Sequence, residues 1–295
     1  MIVRLATDRL DEWCAVLAAG MAAESGSGPD GPALAARIRA ERPGAGVSRW
    51  AAVEDGRVVG AAQSTPDGDS RFVRLYVPEP HRGRGIGSAL LDATRDGPPR
   101  KGITVQGTAG ERFAMRRGAT VLMRLIVLEH RIAETSAGAR EDTVCWTDGA
   151  PAELLDSYAA AYNSLADAPD SHHQAVGAGY DGGRIRAWER SIRTGGHQLW
   201  ACAIVRDGGI VAFTEIETGP GPDASQHATV VLPGHRRQGL GVAVKRALAA
   251  RLHAERPDIS TVTTTVNADN TAMLRLNERV GYRPVRTRLL MRLPG

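Results

Sequence analysis

The first half of the chain switches repeatedly between the alternation of a strand and the three-to-four spacing of a helix. "IVRLA" (2–6) predicts a short strand, and apolar Leu10, Trp13, Val16, Leu17 and Met21 predict a helix over 8–23. A polar stretch, "SGSGPDGP", precedes a second helix in "ALAARIRAE". In "SRWAAVEDGRVVGAAQS" two apolar runs flank Asp55-Gly56, the turn pair of a tight hairpin. A strand in "RFVRLYV", a helix in "SALLDATR", a strand in "GITVQG", a short helix in "ERFAMRRGA" and a strand in "TVLMRLIVLEH" follow.

The second half repeats that order. "DTVCWT" predicts a strand, "PAELLDSYAAAYNSL" a helix with Pro151 in its first turn, and "GRIRAWERSIRTGG" a helix closing on Gly195. "HQLWACAIVRDGGIVAFTEIET" predicts a hairpin around Asp207-Gly208-Gly209. "SQHATVVL" predicts a strand, "VAVKRALAARLHAE" a helix and "ISTVTTTV" a β-branched strand. "NADNTAMLRLNERVGY" predicts a helix ending at Gly281, and "RTRLLMRL" a closing strand. The pattern therefore predicts a duplicated α/β (α+β) fold, each copy a mixed central sheet flanked by helices. The expected domains are 1–134 and 143–295, joined by a polar linker at 135–142.

Composition narrows the class. A length of 295 residues suits two domains, and a hydrophobic share of 42% sustains real cores. No apolar run reaches the roughly 18 residues of a membrane span, so no membrane partner is expected. The start, "MIVRLATDRLDEW", is charged at Arg4, Asp8 and Arg9 and lacks the apolar segment of a signal peptide. A cytoplasmic protein is expected, with Cys14, Cys145 and Cys202 as buried, reduced thiols. His172 and His173 stand alone in a polar loop, no Cys/His spacing suits a metal, and none is expected. The net charge is +4, carried almost wholly by Arg, since only Lys101 and Lys245 are Lys. A mildly basic chain fits an anionic ligand. With 4% aromatic residues and no basic tract, a nucleic-acid partner is not expected.

Two glycine-rich stretches supply the chemistry. "VPEPHRGRGIG" and "VLPGHRRQGLG" align without gaps, Val77 on Val231, Arg82 on Arg236, Gly85 on Gly239 and Gly87 on Gly241. Each follows a strand and opens a helix. Such a turn presents backbone N–H groups and a helix N-terminus to an anion, with little side chain in the way. "GRGIGS" lacks the Lys-Ser/Thr of a nucleoside triphosphate loop, and the spacing is not that of a dinucleotide fingerprint.

Arg82-x-x-Gly85-x-Gly87 and Arg236-x-x-Gly239-x-Gly241 resemble the acetyl-CoA pyrophosphate loop, [Q/R]-x-x-G-x-[G/A], of the GCN5-related N-acetyltransferases (GNAT). The flanking order of two helices, hairpin, loop strand and late helix before "Gly-aromatic" is similar to that family too. The resemblance spans both halves and implies a tandem protein of two GNAT-type domains. It implies acetyl-CoA as co-substrate, bound through Val230, Val231, Leu232, Arg236, Arg237, Gln238, Gly239, Leu240, Gly241 and Val242, with Arg82, Gly85 and Gly87 as the equivalent first-half loop. A backbone N–H from Val230–Leu232 or Leu75–Val77 is implied as oxyanion donor. Asn267 and Asn270 lie where the family holds the pantetheine arm, or serve as a turn residue and a helix cap.

The family's thiolate-protonating Tyr is absent: its position holds Ala114 in the first half and Asn277 in the second. Asn277 is able to hydrogen-bond a thiolate but is not an acid. For the base, Glu215 and Glu217 share one face of a strand, where mutual repulsion raises one pKa; the alternative is a solvated face. Asp167 and Asp170 are candidates to hold the amine, or belong to a plain polar loop. The second half, with its asparagines and longer loop helix, is the expected catalytic half. The expected activity is acetylation of a small primary amine, an antibiotic or other secondary metabolite, by direct transfer. The alternatives are a non-catalytic acyl-CoA sensor and a mycothiol-synthase-like enzyme.

Overall fold

The computed structural model describes residues 1–25, 30–40, 46–134, 142–167 and 179–294. The expected linker falls almost wholly outside these residues, as do Asp170, His172 and His173. The chain divides into two compact units, Met1–Arg124 with Thr287–Gly295, and Leu125–Arg286.

The first unit holds β1 (Ile2–Arg4), α1 (Leu10–Ser25), α2 (Gly31–Arg39), β2 (Ser48–Glu54), β3 (Arg57–Asp67), β4 (Ser70–Tyr76), α3 (Ile86–Ala93), β5 (Arg100–Val105) and α4 (Ala109–Arg116). Its sheet runs β1-β2-β3-β4-β5, antiparallel except for β4 and β5. The helical stripe read from sequence is real: Leu10, Trp13 and Leu17 pack with Leu34, Ala51 and Val58, with Val16 and Met21 partly buried against them. On α3, Ile86 and Leu90 pack with Ala52, Val59 and Ala62. Adjacent strand residues thus feed opposite faces, as the two-residue pleat requires.

The second unit holds β7 (Thr143–Thr147), α5 (Leu155–Asn163), α6 (Gly182–Thr194), β8 (Gln198–Arg206), β9 (Gly209–Thr218), β10 (Asp223–Val231), α7 (Leu240–Glu255), β11 (Thr261–Asn267) and α8 (Thr271–Val280). Two strands are shared between the units by residue. β6 (Thr120–Arg131) gives Leu125–Arg131 to the second, antiparallel to β11; β12 (Arg283–Arg292) gives Arg288–Arg292 to the first, antiparallel to β5. The last strand of each sequence repeat therefore completes the sheet of the other. For that reason the compact units do not coincide with the expected spans 1–134 and 143–295: contiguous repeats in sequence are not contiguous sheets.

Both hairpins turn where the sequence indicated. Asp55 and Gly56 have φ of 47° and 79°, and Asp207 and Gly208 have 50° and 75°. Two consecutive positive φ values make the primed turn that matches strand twist. The expectation of three reduced thiols is corrected. Cys145 and Cys202 are cross-strand partners on β7 and β8 and form a disulfide; Cys14 is the free, buried thiol. Cross-strand register, which sequence separation concealed, brought them together. No described helix is long and apolar enough to cross a membrane.

Candidate active site

The two glycine loops have the same backbone. Each passes through a 3-10 turn, Glu79–His81 or Pro233–His235, to an extended arginine with φ of −73° (Arg82) or −68° (Arg236). Arg82 Nε donates to Val77 O at 3.0 Å, and Arg236 Nε to Val231 O at 3.2 Å. The arginine of the motif therefore ties its loop back to the strand that feeds it. Gly85 (φ 80°) and Gly239 (φ 77°) sit left-handed at the helix N-caps, and no side chain caps either helix. The first-turn N–H groups of α3 and α7 are left for an anion. Gly83 is left-handed in the first loop (φ 77°), and Arg237 takes the same conformation in the second (φ 64°), where a side chain costs about 1 kcal/mol.

Behind the second loop the sheet opens. β10 and β11 run parallel and pair only at Asp223–Ser225 against Thr261–Thr263, then separate. A cleft of about 840 Å³ begins there, a size suited to a small-molecule ligand. Val230, Val231, Arg236, Arg237, Gly239, Leu240, Gly241, Val242, Asn267 and Asn270 all line it. Gln238 instead accepts a hydrogen bond from Arg206 at 3.1 Å. Leu232 N–H donates to Val211 O on β9. Strand alternation turns the Val231 N–H the other way, toward the opening. Asn267 Oδ1 accepts from Asp269 N at 3.0 Å, and Asn270 Oδ1 from Met273 N at 3.0 Å, so both make local caps while lining the cleft. Asn277, on α8, is 1% exposed; neither its Nδ2 nor its Oδ1 has a partner, and it lines the cleft. A buried amide left so is costly, and a polar ligand in the cleft would satisfy it.

β10 carries a register shift against β9 between Gln226 and Thr229. Such a bulge re-aims side chains, and His227 lies within it and lines the cleft. His227 Nε2 meets Glu217 Oε2 at 2.7 Å, and His197 Nδ1 meets Glu217 Oε1 at 2.5 Å. The His227 hydrogen bond, partly opposed by burial, holds the Glu217 carboxyl below the usual range. Burial disfavours the charged His227, but its hydrogen bond to Glu217 and the nearby carboxylates outweigh this and raise its pKa. The carboxylate fixes the proton on Nε2 and leaves Nδ1 as acceptor.

Glu215 has a different environment. It is fully buried, and the hydroxyls of Tyr158 and Tyr162 donate to its two oxygens. Its pKa rises from 4.5 to about 7 because burial outweighs those two bonds. The expected cause, repulsion from Glu217, is thus replaced by desolvation. The two glutamates do not form one carboxylate pair: α5 seals Glu215, and only Tyr162 of its partners lines the cleft. Tyr162, Tyr180, Trp188 and Leu165 wall this end. Tyr180 stacks on Tyr162 at 4.9 Å, and Trp188 stands edge-on to His227 at 5.8 Å.

Two family profiles match, described as GNAT acetyltransferase, over residues 46–117 and 158–282, together more than half of the chain. The chain belongs to the GNAT acetyltransferase family. It is a tandem member, one domain matched in each half. A tandem GNAT protein from the clavulanic acid biosynthesis pathway is similar in structure, with a TM-score of 0.78 and 22% identity, over 100% of this chain and 99% of the other. A GCN5-related N-acetyltransferase from Sphaerobacter thermophilus has a TM-score of 0.73 and 17% identity, over 100% and 96%. At such identities these likenesses establish the fold. A comparison with curated proteins finds no match.

The GNAT cleft of the first unit, about 620 Å³, is lined by Arg82, Gly85 and Gly87 as expected, with Tyr76, Phe113 and Ala114. β4 pairs with β3 through an unbroken register, with no bulge, and β4 carries no histidine. Asp167 ends a 3-10 turn at Ser164–Asp167 beyond α5. Among the described residues, no group of three or more His, Cys, Asp or Glu is placed to hold a metal. Sequence reading missed His227, Tyr158, Tyr162 and Lys245. The i, i+4 tyrosines inside an apolar helix and the lone histidine in "SQHATVVL" were the available signals.

Proposed function

We propose that the chain transfers an acetyl group from acetyl-CoA to a small primary amine, a secondary metabolite in class, and that the second unit does so. The carrying observation is the bulge on β10, which sets a carboxylate-held histidine at the cleft opened between β10 and β11. The residues present fit the co-substrate. The free N–H groups of α7 and the loop suit its diphosphate, and the unpaired Asn277 amide suits a polar group beyond it. Acetyl-CoA supplies the activated acyl carbon. His227 Nδ1 takes the proton of the attacking amine, while Glu217 holds the ring and stabilises the imidazolium. Val231 N–H faces the developing oxyanion. Tyr162, Tyr180 and Trp188 receive the acceptor and exclude water. The first unit lacks the bulge and the histidine, which supports a binding or structural role for it.

The test is coenzyme A release with a panel of primary amines, comparing the parent with His227→Gln. General-base catalysis is typically worth about 10²–10⁴-fold, and the loss is expected in kcat with acetyl-CoA affinity kept. If no amine drives turnover although acetyl-CoA binds, the acyl-CoA sensor is the correct reading.

A further inference from the structure

We propose that Lys245 is the group that receives the departing thiolate in the second cleft, in place of the absent tyrosine. This rests on the reading that the cleft binds acetyl-CoA. Lys245 is one of two lysines in the chain, lies on α7 four residues past Gly241, about one turn, is 2% exposed and lines the cleft. Among the described residues it makes no ion pair, and its Nζ lies 4.7 Å from the centre of the Tyr282 ring. A lysine is almost never so buried without a carboxylate. Lys245 lines the cleft, where an anion brought by a ligand would meet it.

The neighbours agree. Tyr282 hydroxyl donates to Gln226 Oε1 at 3.2 Å, which ties this patch to the bulge that bears His227. Asn277, unpaired on α8, lines the same cleft. Tyr282, just before β12, faces Lys245, and His130 on β6 lies tilted against that ring at 5.1 Å; His227 on β10 and Arg275 and Arg279 on α8 line the same cleft. None is a carboxylate, and burial pushes the Tyr282 hydroxyl up, so it stays neutral. Burial likewise brings the lysine from 10.5 to about 7, where it gives and takes protons near neutrality.

The step balances. The amine nitrogen bonds to the thioester carbon and gives its proton to His227. The C–S bond breaks with its electron pair on sulfur, and Lys245 Nζ–H⁺ passes a proton to that sulfur. Lysine and histidine then exchange their protons with solvent.

Titration of the coenzyme A thiol on the protein tests this without knowledge of the acceptor. Thiolate absorbance is followed against pH in the coenzyme A complex, with the desulfo-coenzyme A complex as blank, for the parent, Lys245→Met and Lys245→Gln. A coenzyme A in the first unit's cleft contributes equally to all three. The expected result is a thiolate fraction near neutral pH several-fold and up to about tenfold larger in the parent complex than in either variant, a shift of about one pKa unit. Equal desulfo-coenzyme A affinity across the three shows the cleft intact. Bound coenzyme A with the same thiol titration in parent and variants overturns the role of Lys245 and leaves the acetyltransferase reading standing. Failure of coenzyme A to bind the parent overturns both.

Discussion

Replacing Glu215 with Gln should change how stability depends on pH. The carboxyl titrates at about 7 in the fold against 4.5 for the exposed group. Between those values the folded protein holds a proton that the unfolded chain has released. Stability from this group is therefore complete below pH 4.5 and is lost as pH rises through 7. With 1.36 kcal/mol per pKa unit, the loss is about 3 kcal/mol. Glutamine keeps the volume, and its amide is able to meet the Tyr158 and Tyr162 hydroxyls, but it does not ionise. Urea unfolding, read by hydrogen exchange of β9 amides so that the second unit is followed, gives the comparison. Near pH 4 the variant should match the parent to within a few tenths of a kcal/mol. At pH 8 it should be more stable, by up to about 3 kcal/mol. A variant that is instead less stable at pH 8 than at pH 4, relative to the parent, would refute the reasoning. It would mean that the two tyrosine bonds stabilise the carboxylate by more than burial costs.

Lys245 titrates at about 7 in the fold against 10.5, so its cost is complete below 7 and is relieved as pH rises to 10.5. Lys245→Met should remove a rising limb of about 5 kcal/mol from the parent's stability profile over that range, seen in the same unfolding series. A Cβ on Gly241 falls 2.4 Å from Leu276 Cδ1 on α8, whereas a Cβ on Gly239 meets nothing within 4 Å. Gly241→Ala should therefore cost about 1–3 kcal/mol of stability by overpacking. Gly239→Ala should cost about 1–2 kcal/mol of left-handed strain, and calorimetry should show its acetyl-CoA affinity fall. Asn277→Leu removes an unsatisfied buried amide and should leave stability equal or higher by about 1 kcal/mol while acetyl-CoA binding weakens. Glu217→Gln withdraws the hydrogen bond and charge that raise the pKa of His227, so the rising, acidic limb of the pH–rate profile should move toward lower pH.

The repeat, the hairpins at Asp55-Gly56 and Asp207-Gly208, and both anion loops were legible because each is a local instruction. A left-handed turn or a helix cap depends on neighbours a few positions away, and those are written consecutively. The same holds for Asn270, which caps α8 as its position announced. Sheet pairing is not local, and there the chain gave no sign. Only the register of β7 on β8 joined Cys145 to Cys202, and only the strand order placed Arg288–Arg292 beside β5. The active-site chemistry belongs to this second kind. Glu215 and Glu217 stand two apart in sequence with the same intrinsic acidity. One faces α5 and is desolvated; the other faces two imidazoles and stays ionised. Their opposite fates, and the lowered basicity of Lys245, follow from which solvent and which partners the packed chain left to each, and no sequence pattern carries that.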